Sequence, residues 1–166
     1  IKIGVICPSE IAYRRFMPSL KKVADIEYVG VAMYSQEERF ENESVAPNLQ
    51  SSIMDKERKK VSCFREKYGG KIYNSYQEII EAKEIDAVYI PLPPALHYKW
   101  AKYALKQGKH VLVEKPATID LASTNELIIL ALEKNLAFYE NYMFIYHNQL
   151  EEIRNLLCSG VIGKIR

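Results

Sequence analysis

At 166 residues, 48% hydrophobic and 27% charged, the chain is long enough to bury one sizeable core and has the length of roughly one domain. Its 23 basic and 21 acidic residues leave a formal net charge of +2, which points to neither nucleic acid nor an anionic membrane as a partner. Cys7, Cys63 and Cys158 are odd in number and far apart, with no CxxC pair, and fit a reducing cytoplasm better than a disulfide framework. Lys2 interrupts the apolar start and Glu10, Arg14 and Arg15 follow, unlike a signal peptide, and no run of about 18 apolar residues is present to span a membrane.

Ile1 to Cys7 is rich in β-branched residues and bounded by Pro8-Ser9, which predicts a short strand ending at a turn. Ser9 can cap a helix, with Ile11, Ala12, Phe16, Leu20 and Val23 recurring at near-helical spacing up to Asp25. Ile26 to Met33 is again strand-like. From Gln36 to Lys60 the chain is polar, contains Pro47 and Asn48, and reads as a loop or lid, with helix returning from about Ser52 to Tyr68. Gly69-Gly70 ends that helix, Ile72-Tyr73 is a brief strand, and Ser75 caps a helix with Ile79, Ile80 and Ala82 on its buried side. Ile85 to Pro91 predicts another strand, closed by Leu92-Pro93-Pro94 because successive prolines cannot donate to a ladder. A helix from His97 to Gln107 closed by Gly108, a strand over Val111 to Val113, a helix over Leu121 to Asn135 and a strand over Leu136 to Tyr139 complete the order. Strands alternating with helices of about 10 to 15 residues predict an α/β fold, a Rossmann-type doubly wound, mostly parallel sheet with helices on both faces.

Sheets that bind dinucleotides place glycines between the first strand and helix, so that the backbone can approach the pyrophosphate. Here Cys7-Pro8-Ser9-Glu10-Ile11-Ala12 reads C-x-S-x-x-A instead of G-x-G-x-x-A, keeping only the small residue at Ala12 that close helix packing needs. Ser9 can offer a backbone N–H and a hydroxyl to a phosphate, or act as an ordinary helix cap. At the end of the second strand a carboxylate suits the ribose of NAD, whereas an arginine suits the extra phosphate of NADP. Met33-Tyr34-Ser35-Gln36 is neutral there and Arg39 lies close by, so both cofactors stay open. Gly108 to Pro116 is a turn, a buried-type strand and a charged pair against proline, delivering Glu114 and Lys115 to the carboxyl edge where α/β sheets place ligands. The three histidines show no paired ligand spacing with the cysteines, so no metal is expected, and neither a GxSxG elbow nor a Cys-His neighbour suggests nucleophilic catalysis.

Taken together, Ile85 to Ala101, with its turn Leu92-Pro93-Pro94-Ala95-Leu96-His97, and Gly108 to Pro116 resemble the N-terminal half of the glucose-fructose oxidoreductase, inositol dehydrogenase and rhizopine-catabolism (Gfo/Idh/MocA) family of NAD(P)-dependent oxidoreductases. The family's strand, (T/S)-P-N-x-x-H turn, helix and EKP strand occur in that order and at family spacing, and the resemblance extends over nearly the whole chain. It implies that Lys115 is catalytic, hydrogen-bonding the nicotinamide ribose and the hydroxyl of the reacting carbon, where an ammonium polarises a carbonyl as hydride arrives. It implies cofactor contacts from Cys7, Ser9, Ile11, Ala12, Ser35, Leu92, Pro93, His97, Glu114, Lys115 and Asn141, with Glu114 fixing the nicotinamide end. Pro116 sets the chain direction and is a candidate for a cis peptide. Leu92 and Pro94 stand where the family has Thr or Ser and Asn, which removes two polar contacts. In Tyr139 to His147, which follows the family segment after the sixth strand, Ile145 replaces the family's arginine, and His147 reads as structural more readily than as a substrate contact.

The resemblance further implies that residues 1–150 form an NAD(P)-binding Rossmann domain and 151–166 the start of a C-terminal domain carrying the substrate pocket, the subunit interface and the general acid/base. The expected function is hydride transfer between NAD or NADP and a hydroxyl or ketone carbon of a sugar, sugar derivative or polyol. The 166-residue segment alone is expected to be nearly inactive, and the full-length protein to be a cytoplasmic homo-oligomer acting on a small carbohydrate-like substrate, with neither nucleic acid nor membrane as partner. The alternative, favoured only by the Cys7-Pro8-Ser9 loop, is a nucleotide- or sugar-binding module without redox chemistry.

Overall fold

Residues 1–41 and 45–163 are described by the computed structural model; positions 42–44 of the polar segment and 164–166 of the expected second-domain start lie outside the described residues. Six strands, β1 (Lys2–Ile6), β2 (Glu27–Ala32), β3 (Lys71–Tyr73), β4 (Ala87–Ile90), β5 (His110–Glu114) and β6 (Phe138–Asn141), form one sheet in the order β3-β2-β1-β4-β5-β6. Every pairing is parallel, so the sheet is wholly rather than mostly so. The chain winds outward from β1 to β3, then returns to β4 and winds the other way. The connections therefore diverge between β1 and β4, which opens a crevice at their carboxyl ends. Cys7 follows one strand there and Pro91-Leu92-Pro93 the other.

A π-helical turn, Ala12–Phe16, runs into α1 (Met17–Leu20); α2 (Gln36–Phe40), α3 (Pro47–Tyr68), α4 (Tyr76–Glu81), α5 (Pro94–Lys106), α6 (Leu121–Glu133) and α7 (Gln149–Cys158) follow. Strand side chains alternate between two cores, as a period of two requires. Ile3, Val5, Ala87 and Tyr89 pack with Ala12, Met17 and Leu20 and with Met54, Val61 and Phe64 of α3. Ile6, Val88, Ile90, Val111 and Val113 pack on the opposite face with α4 (Ile79, Ile80), α5 (Trp100, Leu105) and α6 (Leu127, Ala131). A bulge at Val29 shifts the register between Ile3↔Tyr28 and Gly4↔Gly30. Gly30 beside it is obligatory: a Cβ there would stand 2.3 Å from the Lys71 carbonyl oxygen of β3.

The polar segment from Gln36 to Lys60 departs from the expected loop or lid. Ser35 and Glu38 form a reciprocal cap on α2, the Glu38 N–H donating to Ser35 Oγ at 3.2 Å and the Ser35 N–H to Glu38 Oε2 at 2.8 Å. Pro47 sits in the first turn of α3, where a missing N–H is no loss, so that helix begins well before Ser52. Pro94 opens α5 in the same way, ahead of His97. The first helical segment stops at Leu20 rather than Asp25, because the Lys22 and Val23 N–H groups turn back to the carbonyls of Ser19 and Leu20. Asn135, at φ 54°, closes the turn after α6 and delays β6 to Phe138. Among the described residues no helix is long and apolar enough to cross a membrane. At the amino edge of the sheet Lys109 is buried, its ammonium donating to the carbonyls of Ala82 (2.7 Å) and Ile85 (2.6 Å), and desolvation draws its pKa down.

Candidate functional site

The turn after β1 has the backbone shape of a glycine without the glycine. Cys7 adopts φ 89°, a region that disfavours a Cβ by about 1–2 kcal/mol, and its N–H is anchored on the Ala32 carbonyl at 3.1 Å. Its half-buried thiol is pushed up to about 12, first by desolvation and then by the Glu57 carboxylate, with an opposing hydrogen bond from Tyr76, so it stays a neutral thiol. Ser9 Oγ accepts the Ala12 N–H at 3.2 Å and thereby caps the helix. Ala12 is fully buried, which lets that helix settle on the sheet.

A cavity of about 690 Å³ opens over this turn, between Cys7, Pro8 and Ser9 on one side and Pro91, Leu92 and Pro93 on the other, with Lys59, Lys60 and Cys63 of α3 facing them. A second, of about 580 Å³, shares Cys7, Lys60, Leu92 and Pro93 and continues past the end of β2 to Tyr34, Arg39 and Glu57. The two make a groove along the carboxyl ends of β2, β1 and β4. Its shape fits an elongated, phosphate-bearing ligand such as a dinucleotide: a left-handed turn and a small residue under the groove, and lysines across from them.

At the ends of β4, β5 and β6 the side chains are tied together. Glu114 is buried, and its Oε1 accepts from the Tyr89 hydroxyl at 2.5 Å and from Asn141 Nδ2 at 2.6 Å. Desolvation, reinforced by that carboxylate, raises the Tyr89 pKa. The next residue, Lys115, is exposed, and its peptide bond to Pro116 is cis. His97 is fully buried beneath: its Nδ1 lies 2.7 Å from the Pro116 carbonyl oxygen and its Nε2 2.6 Å from that of Leu92. The imidazole thus spans the turn after β4 and the turn after β5, and supports the groove from below. A third cavity, of about 510 Å³, is lined by Ile11, Phe16, Tyr89, Glu114, Asn141 and Met143 among others.

The residues expected from sequence therefore fall into groups. Cys7, Ser9, Leu92 and Pro93 line the first cavity; Ile11, Glu114 and Asn141 line the third; Ala12 and His97 are buried supports; Lys115 stands exposed at a strand end. Ser35 Oγ accepts the Glu38 N–H in the cap of α2, and Ser35 lines a further hollow with Glu37 and Ser75 that shares Glu38, Lys99 and Trp100 with the second cavity. His147 accepts the Gln149 N–H through Nδ1 at 3.2 Å, a local turn contact. Sequence reasoning missed Tyr89, Glu57 and Lys60. The signal for Glu57 is its place on the helical stripe Met54, Glu57, Val61, Phe64, which shows only once α3 is known to start at Pro47.

The GFO_IDH_MocA family model, described as an oxidoreductase family with an NAD-binding Rossmann fold, matches residues 26–142. Over 166 residues the chain is 36% identical to a dTDP-3,4-didehydro-2,6-dideoxy-alpha-D-glucose 3-reductase of Actinomadura kijaniata, covering 100% of this chain and 43% of that protein. It is 31% identical over 123 residues to D-xylose 1-dehydrogenase (NADP(+)) 2 of Haloferax volcanii, which is 70% of this chain and 38% of that one. A solved 3-ketoreductase from Actinomadura kijaniata, in complex with NADP and TDP-benzene, superposes with a TM-score of 0.83 at 34% identity, over 100% of this chain and 44% of its own. The chain spans less than half the length of these curated relatives.

Proposed function

The chain belongs to the Gfo/Idh/MocA family of oxidoreductases, and from that premise we propose that it is the cofactor-binding portion of an enzyme reducing or oxidising a sugar carbon, with a nucleotide-linked keto sugar as the substrate class. The observation that carries the reading is the His97 bridge, which makes the groove wall at Leu92-Pro93 and the Lys115-Pro116 turn one unit. A dinucleotide laid along the groove from Tyr34 past Cys7 would present its far end to those turns.

The nicotinamide, when bound, supplies or accepts the hydride. Lys115 hydrogen-bonds the sugar oxygen at the reacting carbon and stabilises the negative charge that grows there as a carbonyl is reduced, or that an alkoxide carries in the reverse direction. No ion pair among the described residues engages its ammonium, which leaves it to the ligand. Glu114, immobilised by Tyr89 and Asn141, holds the strand end from which Lys115 projects. Residues 151–163 lead toward a second domain that brings the sugar pocket, the general acid and the subunit contacts, in keeping with relatives more than twice as long. The free thiols Cys7, Cys63 and Cys158 suit a reducing, cytoplasmic setting.

Titration of the chain with NADH and with NADPH, followed by nicotinamide fluorescence, tests the first half of the reading; saturable binding of at least one is expected, and binding of neither refutes it. In the full-length enzyme Lys115→Ala should lower turnover by about 10²–10³-fold while the cofactor Kd moves by no more than about 3-fold. Unchanged turnover removes Lys115 from the chemistry.

A further inference from the structure

α3 meets the sheet through Met54, Glu57, Val61 and Phe64, and Glu57 is the charged member of that stripe. It is 2% exposed. Its Oε2 lies 3.4 Å from Lys60 Nζ, one turn on, but its Oε1 is buried with no hydrogen-bond partner. The same side chain lines the 580 Å³ cavity where the ends of β1 and β2 meet, beside Cys7, Tyr34 and Tyr76. An ionised carboxylate only accepts hydrogen bonds, so what this position lacks is a donor.

The other charged groups of the cavity are already engaged. Glu38 accepts the N–H groups of Ser35, Tyr76 and Gln77, Lys99 pairs with Glu41, and the Arg39 guanidinium lies over the Phe40 ring. In dinucleotide-binding sheets the adenosine ribose hydroxyls are met by a carboxylate at the end of the second strand. Here that end is Met33-Tyr34-Ser35, with no carboxylate, and the Ser35 hydroxyl oxygen already accepts the Glu38 N–H.

We propose that Glu57 is the ribose acceptor of this site, delivered from α3 instead of from the end of β2: its Oε1 takes the hydrogen bond of the adenosine 2′-hydroxyl, and the site therefore prefers NAD(H) to NADP(H). The assignment rests on the cofactor reading above and adds to it the choice of dinucleotide. A 2′-phosphate brings acceptor oxygens and negative charge to the place where the carboxylate needs a donor, so it is rejected on both counts. Burial raises the Glu57 pKa, the Lys60 ammonium at 3.4 Å opposes that rise, and a hydroxyl donating to the carboxylate would act in the same sense as Lys60. The preference sets this chain apart from the Actinomadura kijaniata 3-ketoreductase, which was crystallised with NADP.

The experiment is a fluorescence titration of the chain and of Glu57→Gln, an isosteric and neutral change, with NADH and NADPH. The wild type should bind NADH about 10-fold or more tighter than NADPH, and Glu57→Gln should weaken NADH by about 10-fold with NADPH unchanged or tighter, bringing the ratio near one. A wild type that favours NADPH, or a ratio that Glu57→Gln leaves in place, overturns the assignment while sparing the cofactor reading. Binding of neither dinucleotide withdraws the cofactor reading and this assignment with it. Should circular dichroism show that Glu57→Gln does not fold, calorimetry on the wild type with ADP and 2′-deoxy-ADP decides: about 10-fold weaker binding of the deoxy form is expected, and equal affinities overturn the proposal.

Discussion

The Tyr89 hydroxyl on β4 donates to Glu114 Oε1 on β5 at 2.5 Å, and Asn141 on β6 donates to the same oxygen at 2.6 Å, so one carboxylate joins three neighbouring strand ends. Tyr89 is itself held by Phe16, whose ring stacks on it with centroids 3.8 Å apart. Glu114 is thus oriented by protein groups alone, and Lys115 starts from a strand end with little freedom. Preorganisation of this kind is what lets a charged donor act without rearranging at the moment of reaction.

Tyr89→Phe keeps the stack on Phe16 and deletes the hydroxyl. It should lower stability by about 1–3 kcal/mol, since a hydrogen bond to a buried carboxylate is lost. Urea unfolding checks the first effect. Turnover of the full-length enzyme should fall more than cofactor affinity does, because the change loosens the base of Lys115; an unaltered kcat shows that the bridge does not position it.

Lys109→Met removes the ammonium that satisfies the buried carbonyls of Ala82 and Ile85. Two acceptors left without donors should reduce stability by about 2–4 kcal/mol, read from the shift in urea midpoint at constant m-value. Cofactor Kd, corrected for the folded fraction, should not move, since Lys109 lies at the amino edge of the sheet.

Alkali should unfold this protein earlier than its ion pairs suggest. The Cys7 thiol ordinarily ionises near 9.0 and Tyr34 near 10.0, and burial pushes both up to about 12 in the folded chain, with Tyr28, Tyr73, Tyr76 and Tyr89 raised in the same direction. Below about pH 9 these groups are protonated whether the chain is folded or not, and the stability they confer is intact. Above it the unfolded chain releases protons that the folded chain retains, so stability falls as pH rises from about 9 toward 12. Unfolding free energies at about pH 8 and about pH 10.5 should differ in that sense, and a flat profile would contradict the burial of these groups.

Thiol labelling under native conditions should separate the three cysteines. Cys63 and Cys158 are exposed and should react with iodoacetamide, whereas Cys7, held as a neutral thiol, should react only on unfolding. Cys63 lines the 690 Å³ cavity and Cys158 does not, so saturating NADH should slow Cys63 several-fold and leave Cys158 alone. Mass spectrometry of the labelled peptides reads both effects; equal slowing, or none at Cys63, argues against a cofactor in that groove.

Gly30→Ala should be poorly tolerated despite its small size. The added Cβ meets the Lys71 carbonyl oxygen at 2.3 Å, which is backbone of the neighbouring strand and cannot swing away. A loss of about 2–3 kcal/mol is expected by urea unfolding, and a loss below about 0.5 kcal/mol would mean that β3 can shift.

What the sequence determined by itself is local. Continuous apolar, β-branched runs in Ile3 to Ile6 and Ala87 to Ile90, prolines that end β4, and the apolar run into Glu114-Lys115-Pro116 specify strands, breaks and the end of β5, because each depends on residues a few positions apart. The polar segment misled for the same reason: a solvated helix and a loop have similar composition, and only the Ser35–Glu38 spacing, a capping box, marked α2 locally. What the tertiary structure alone decided is how distant groups satisfy one another. His97 meets Pro116, Tyr89 meets Glu114, and Glu57 comes from α3 to a cavity at the ends of β1 and β2. Burial and hydrogen-bond valence belong to a place in space, and which side chains share that place is set by the winding of the sheet, not by any stretch of chain read alone.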